Sequence, residues 1–182
     1  MSWQAPIRTE ENLIPEKEPQ KLTEDLIQAI HSSSKAKRLE AIQLVRKGKI
    51  KELLPELRIT YEKERHVEVK REFLKAFADL GGESAVECLR DALLSTEPEL
   101  RLEAARRLAR IKPLAAKPDL IRILEGDDWD LIRLVVPACE PPYGTKDDIP
   151  LLLTVVQKAA NPTIRYLALH AMNSIQQGEW HL

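Results

Sequence analysis

The sequence predicts an all-α chain, a right-handed α-solenoid of about five stacked helix pairs, and three observations carry that expectation. The first is composition: of 182 residues, 43% are hydrophobic, 31% charged and only 4% aromatic, a balance weighted toward the good helix formers. The second is a helical segment that recurs. With Val69 as position zero, Lys70 falls at +1, Phe73 at +4, Phe77 at +8 and Leu80 at +11. The same frame fits at Leu100 and Ile164, and more loosely at Lys37 and Ile132, so the zero positions 37, 69, 100, 132 and 164 lie 31 or 32 residues apart. Each copy carries a basic residue at +1: Arg38, Lys70, Arg101, Arg133 and Arg165. The third is a second repeating segment between these helices, in which Pro55, Glu87, Pro118 and Pro150 are equivalent and are followed two residues later by Leu57, Leu89, Leu120 and Leu152. A fixed period of this length is the mark of stacked supersecondary units.

The elements follow in order. Residues 1–20 hold Pro6, Pro15 and Pro19 among charged residues, too little apolar surface to offset chain entropy, and read as an extended arm docking through Trp3 and Leu13–Ile14. Five pairs follow over residues 21–176, at about 22–48, 50–81, 83–112, 114–144 and 147–176, and then a tail, 177–182, containing Trp180. In each pair helix A starts near a proline, where the missing N–H costs no intrahelical bond. A short turn leads to helix B, which Glu97 and Asn161 are placed to cap in the third and fifth copies. Gly81-Gly82 ends a helix as a C-cap does. In the fourth copy Glu140-Pro141-Pro142 ends helix B early and sets Tyr143 on the surface as a hinge or partner contact. The acidic run Glu125–Asp130 reads as an N-cap cluster, with Trp129 covering the core edge or marking a contact.

The Pro-x-Leu of helix A and the turn-to-helix-B segments Glu97-Pro98 through Ala104 and Asn161-Pro162 through Ala168 resemble HEAT repeats, specifically the short HEAT-like units of phycobilisome lyases. The resemblance spans about residues 22–176. It implies a structural role for the +1 ladder, reaching an acidic or carbonyl partner in a nearby turn, and a concave surface lined by helix B.

At 100° per residue, positions 0, 4, 8 and 11 form the core stripe, and +2, +6, +9 and +10 lie away from it. The first three copies place Arg46, Lys47, Arg71, Lys75, Arg106 and Arg110 on this row; the last two place Leu134, Ala138, Tyr166 and His170 there. A row divided this way suits a protein partner with an acidic half and an apolar half. The net charge is −1, but it sums separate patches: residues 35–51 carry seven basic residues and one Glu, residues 119–130 five acidic residues and one Arg. That balance argues against indiscriminate nucleic-acid binding without excluding an acidic protein.

No catalytic constellation is legible and no cofactor is implied. His31, His66, His170 and His181 form no H-E-x-x-H motif and no close pair with Cys88 or Cys139, so no metal site is expected. Cys88 reads as a buried thiol; Cys139, beside the helix end, is the better candidate for a reactive one. No apolar run reaches the roughly 18 residues of a membrane span, and no signal-peptide pattern opens the sequence, which leads to a cytoplasmic expectation. The leading functional reading is a non-enzymatic scaffold for a protein partner, of undetermined oligomeric state. The alternative, carried by the resemblance, is a bilin or chromophore lyase; nucleic-acid binding through the basic stripe is weaker.

Overall fold

A computed structural model describes residues 17–178, with side chains from residue 21. The arm's Trp3 and Leu13–Ile14, and Trp180 and His181 in the tail, lie outside the described residues. Ten α-helices follow one another: α1 Lys17–Ile30, α2 Lys35–Gly48, α3 Leu54–Lys63, α4 Val67–Leu80, α5 Glu83–Ala92, α6 Pro98–Ile111, α7 Lys117–Glu125, α8 Trp129–Val135, α9 Ile149–Lys158 and α10 Pro162–Gln177. Among the described residues no strand interrupts them. The odd helices are the A members and the even ones the B members, and each B helix packs on the B helices of neighbouring pairs. The chain is an all-α solenoid.

Helix α1 begins at Lys17, inside the segment read as an arm. Pro19 permits this because the first four N–H groups of a helix have no intrahelical acceptor. The core stripe of helix B is buried as its period demands: Val69, Phe73, Phe77 and Leu80 in α4, Leu100, Ala104 and Leu108 in α6, Ile164, Ala168 and Ile175 in α10. Helix A adds Leu57, Leu89, Leu120 and Leu152 to the same continuous core.

Position +12 turns the chain out of helix B through a positive φ in three successive pairs: Lys49 (φ 54°), Gly81 (φ 73°) and Lys112 (φ 46°). Only one is glycine. Lys49 takes the left-handed conformation with its N–H bonded back to Arg46 O and its Nζ donating to Asp79 O at 2.8 Å. Asn161 caps α10 by accepting from Thr163 N, and Asp128 caps α8 by accepting from Leu131 N. Glu97 makes no side-chain cap; Ser95 Oγ accepts from Glu97 N instead.

The fourth pair departs most from the repeat, earlier than the double proline suggests. Pro137 lacks the N–H that would continue the helix, so α8 stops at Val135 and a 3-10 turn covers Val136–Cys139. Pro141 and Pro142 are exposed, joined by a cis peptide bond, but Tyr143 is buried. Its hydroxyl donates to Pro113 O at 3.0 Å, while Lys117 Nζ donates to Tyr143 O at 3.0 Å and pairs with Asp148 at 2.9 Å. Tyr143 is therefore a cross-brace rather than a surface contact. Burial pushes its phenol up to about 12. A Cβ on Gly144 would stand 1.6 Å from Cys139 O, so Gly144→Ala is expected to cost about 2 kcal/mol, measured as a lower urea midpoint at unchanged m.

Candidate helix-B interface

The basic ladder divides by what each turn offers it. Arg38, Arg101 and Arg165 reach the carbonyl six residues back in their own turn: Ser32 O at 2.8 Å, Ser95 O at 2.9 Å and Ala159 O at 3.2 Å. Arg38 and Arg101 add a second carbonyl, Ser33 O and Thr96 O. Lys70 has no fork to repeat this and lies over the Tyr61 ring, 5.2 Å from its centroid. Arg133 is exposed, with no hydrogen bond or ion pair among the described residues. In three copies the ladder residue is tied to the carbonyls of its own turn.

Arg38 also spans two pairs. Its Nε donates to Glu64 Oε2 at 2.7 Å and its Nη2 to Oε1 at 3.2 Å. Glu64 Oε1 additionally accepts from Arg65 N and His66 N, at 2.8 and 2.9 Å. Burial alone would raise the Glu64 carboxyl, but the Arg38 guanidinium and the His66 and Arg65 N–H groups overcome it and hold it at about 2. A cleft of about 360 Å³ opens beside this pair; the buried carboxylate already fills its anion position.

On the outward row, Arg46, Lys47, Arg71, Lys75, Arg106 and Arg110 all lie partly or fully in solvent on successive B helices. The sequence reading missed what stands between them. Glu72 and Glu103, both at +3, are buried in the same face, and Asp79 sits at +10. Arg46 reaches Glu72 at 2.5 Å and Asp79 at 3.6 Å; Lys75 reaches Glu72 at 3.0 Å. Glu103 collects Arg107 at 2.6 Å, Arg106 at 3.9 Å and Arg71 at 4.0 Å, and Arg110 pairs with Asp79 at 2.6 Å. The +3 column, Glu40, Glu72 and Glu103, was the available signal.

The stripe is therefore a ladder of alternating charge. Six cations, Arg107 included, share Glu72, Asp79, Glu99 and Glu103, and Lys47 stands beside them, which leaves a surplus of positive charge. Lys47 has no ion pair among the described residues. Arg71 and Arg106 are the loosely held arginines of the row: Arg71 lies 3.9 and 4.0 Å from Glu99 and Glu103, with an Nε that lacks a hydrogen-bond partner, and Arg106 reaches Glu103 at 3.9 Å. Arg71 borders a groove of about 330 Å³ between α2 and α4, with Leu39, Gln43 and Lys75.

The last two pairs change the character of the row. Leu134 is half-buried, Tyr166 and His170 are exposed with ring centroids 6.1 Å apart, and His170 Nδ1 bonds Glu140 at 3.0 Å. Ala138 is buried in the 3-10 turn and leaves the row. Trp129, half-buried, packs against the core edge. Both cysteines are free and buried; burial pushes the Cys139 thiol up to about 11 and raises Cys88, so Cys139 is the opposite of an activated nucleophile. Among the described residues no cluster of three metal-ligating side chains occurs, and no helix is long and apolar enough to cross a membrane.

Comparison with known proteins agrees with this architecture. Residues 54–138 match the family model described as HEAT repeats. The chain superposes, with a TM-score of 0.65 and 21% identity, on a chain of the complex of CpcE and CpcF of phycocyanin lyase from Nostoc sp. PCC7120, over 96% of this chain and 71% of that one. An engineered protein superposes with a TM-score of 0.51 and 19% identity, over 84% of this chain and 78% of that one. No curated protein matches the sequence.

Proposed function

We propose that this HEAT-like solenoid is a partner-binding subunit that holds a protein on its concave helix-B face and takes part in handling a bilin chromophore. The observation that carries the reading is the two-part row: surplus positive charge over α2, α4 and α6, then a half-buried Leu134 on α8 and the exposed Tyr166 and His170 on α10. Such a row fits a partner whose contact surface is acidic at one end and apolar at the other. The finer, chromophore part is supported by the likeness to the phycocyanin lyase chain along nearly the whole sequence. It also has a chemical rationale: a linear tetrapyrrole carries propionate carboxylates, which the loosely paired Arg71 and Arg106 of this face suit. A cytoplasmic setting belongs to the same reading, with both thiols free.

Two measurements test the two parts separately. Partner capture from the native host, read by mass spectrometry, is expected to fall at least about tenfold in Arg71→Gln with Arg106→Gln. Gln is chosen because Glu103 keeps Arg107 and the helix stays intact. Unchanged capture would remove the concave-face reading. Bilin added to the chain, alone or with its captured partner, is expected to shift its visible absorption; an unshifted spectrum in both cases removes the chromophore part and leaves the scaffold. Nucleic acid would instead bind with affinity falling steeply with salt.

A further inference from the structure

The outer faces of the first and fifth helix pairs are the two sides of a single kind of contact. Within helix B, positions +3 and +7 lie on one side and +2, +5 and +9 on the other at 100° per residue. Ion pairs fix which side faces which neighbour: Arg46 at +9 and Arg71 at +2 reach forward to Glu72 and Glu103, both at +3 of the next pair. Position +5 is fully buried in the first three pairs, as Ile42, Leu74 and Ala105, while Pro137 of the irregular fourth pair is exposed. Position +7 is buried as Ala76, Cys139 and Ala171 where a preceding pair covers it, and Arg107 there is partly buried.

The outermost pairs break that rule at those positions. In the fifth pair Leu169 (+5) is 45% exposed and Tyr166 (+2) 64% exposed. In helix A of the same pair, Leu153 stands where Arg58 and Arg90 reach forward to Glu87 and Asp119, and it is 43% exposed. In the first pair Leu44 (+7) is 49% exposed, and Leu22, equivalent to the buried Leu53, Ala85 and Ala116, is 57% exposed. These five are most of the large apolar side chains exposed among the described residues, where nothing packs on either face.

We propose that two copies of this chain dock head to tail, the α9–α10 face of one seating on the α1–α2 face of the other in the register of the internal pairs. Leu44 then meets Leu169 as +7 meets +5 inside the array, Leu22 covers the Leu153 side, and Glu40 at +3 faces Tyr166 and Asn173 at +2 and +9. The occupant is a second copy because both complementary halves are present on one molecule in matching register. Such a contact is heterologous: each docked pair still offers one free face at either end.

Sedimentation of the 182-residue chain tests it. The weight-average mass is expected to climb with concentration past that of a dimer. Leu44→Glu and Leu169→Glu, both at exposed sites and with helicity checked by circular dichroism, are each expected to weaken association at least about tenfold. An equimolar mixture of the two is expected to restore a dimer that grows no further, since each retains the face the other lacks. A wild-type mass that stays monomeric at every concentration overturns the proposal. So does a mixture that stays monomeric, or Leu44→Glu associating as wild type does, which would mean like faces pairing. Arg71→Gln with Arg106→Gln is expected to leave association unchanged; its loss there would move the contact to the helix-B face.

Discussion

Replacing Glu64 with alanine is expected to destabilise the first two helix pairs by about 3–5 kcal/mol, the range for removing one partner of a buried ion pair. The cost comes from Arg38, whose side chain is mostly buried and would keep the Ser32 and Ser33 carbonyls and a long contact to His66 Nδ1 in place of the carboxylate. Two backbone N–H groups at the entry to α4 lose their acceptor at the same time. The pH dependence gives an independent size. The carboxyl is held at about 2 against an ordinary 4.5, and a depression of that order corresponds to about 3 kcal/mol. A depressed carboxylate contributes its full stability above its unfolded value. Wild type should therefore lose this contribution as pH falls from 4.5 toward 2, and Glu64→Gln should lose less over the same window by that amount, Asp148, also held below the ordinary carboxyl value, still contributing. Urea unfolding at pH 7 and pH 3 checks both. The double variant Arg38→Met with Glu64→Leu separates the penalty of an unpaired buried guanidinium from the rest: it is expected to recover part of the loss and to fall between Glu64→Ala and wild type, since the Arg65 and His66 N–H groups still lack their acceptor. If the double variant is as weak as Glu64→Ala, the buried-charge account fails.

How much of this was legible in the sequence depends on whether a residue's role is repeated. The zero positions, the helix-A leucines and the basic ladder recur, so periodicity finds them, and the fold follows from stacking units that cannot bury their stripes alone. Roles that occur once are hidden. Glu64 stands six residues before Lys70, where Ser32 and Ser95 supply a carbonyl and a hydroxyl that accepts from the N–H two residues on, and nothing in its spacing says that its side chain turns toward Arg38. Tyr143 read as surface because Pro141, Pro142 and Gly144 flank it; burial against Pro113 and Lys117 is a tertiary fact. The outward row was half legible. Its cations follow from the helical wheel, but a wheel places Glu72 and Glu103 at the margin of the stripe without saying that neighbouring helices bury them and draw Arg46, Arg71 and Arg107 inward. A charged residue at such a margin looks solvated until its neighbour is in place.

Phe77→Ala is expected to cost about 3–5 kcal/mol, through lost transfer energy and the cavity left behind. The chain has two phenylalanines, both in α4 and both fully buried. Tyr61 stands edge-on to both, with centroids 6.0 Å from Phe73 and 5.6 Å from Phe77. Phe73 and Phe77 themselves lie 6.3 Å apart. Burial first, then the nearby Cys88 and Asp91, pushes the Tyr61 phenol up to about 12. A core otherwise built mainly from aliphatic side chains therefore clusters three aromatic rings in one pair, and collapse around a missing ring is limited by the B helices on both sides. A double-mutant cycle of Phe77→Ala with Tyr61→Leu should show a coupling of about 0.5–1.5 kcal/mol. The location of the damage is as informative as its size. Because each pair touches only its neighbours, the loss should spread unevenly. Hydrogen exchange in Phe77→Ala is expected to drop most in α1–α4 and least in α9–α10, which the Lys117–Asp148 brace and the Tyr143 hydroxyl tie to the fourth pair independently of α4. Equal loss of protection in α10 would mean that the solenoid unfolds as one cooperative unit. The nearest-neighbour account would then be wrong for a stack of this length.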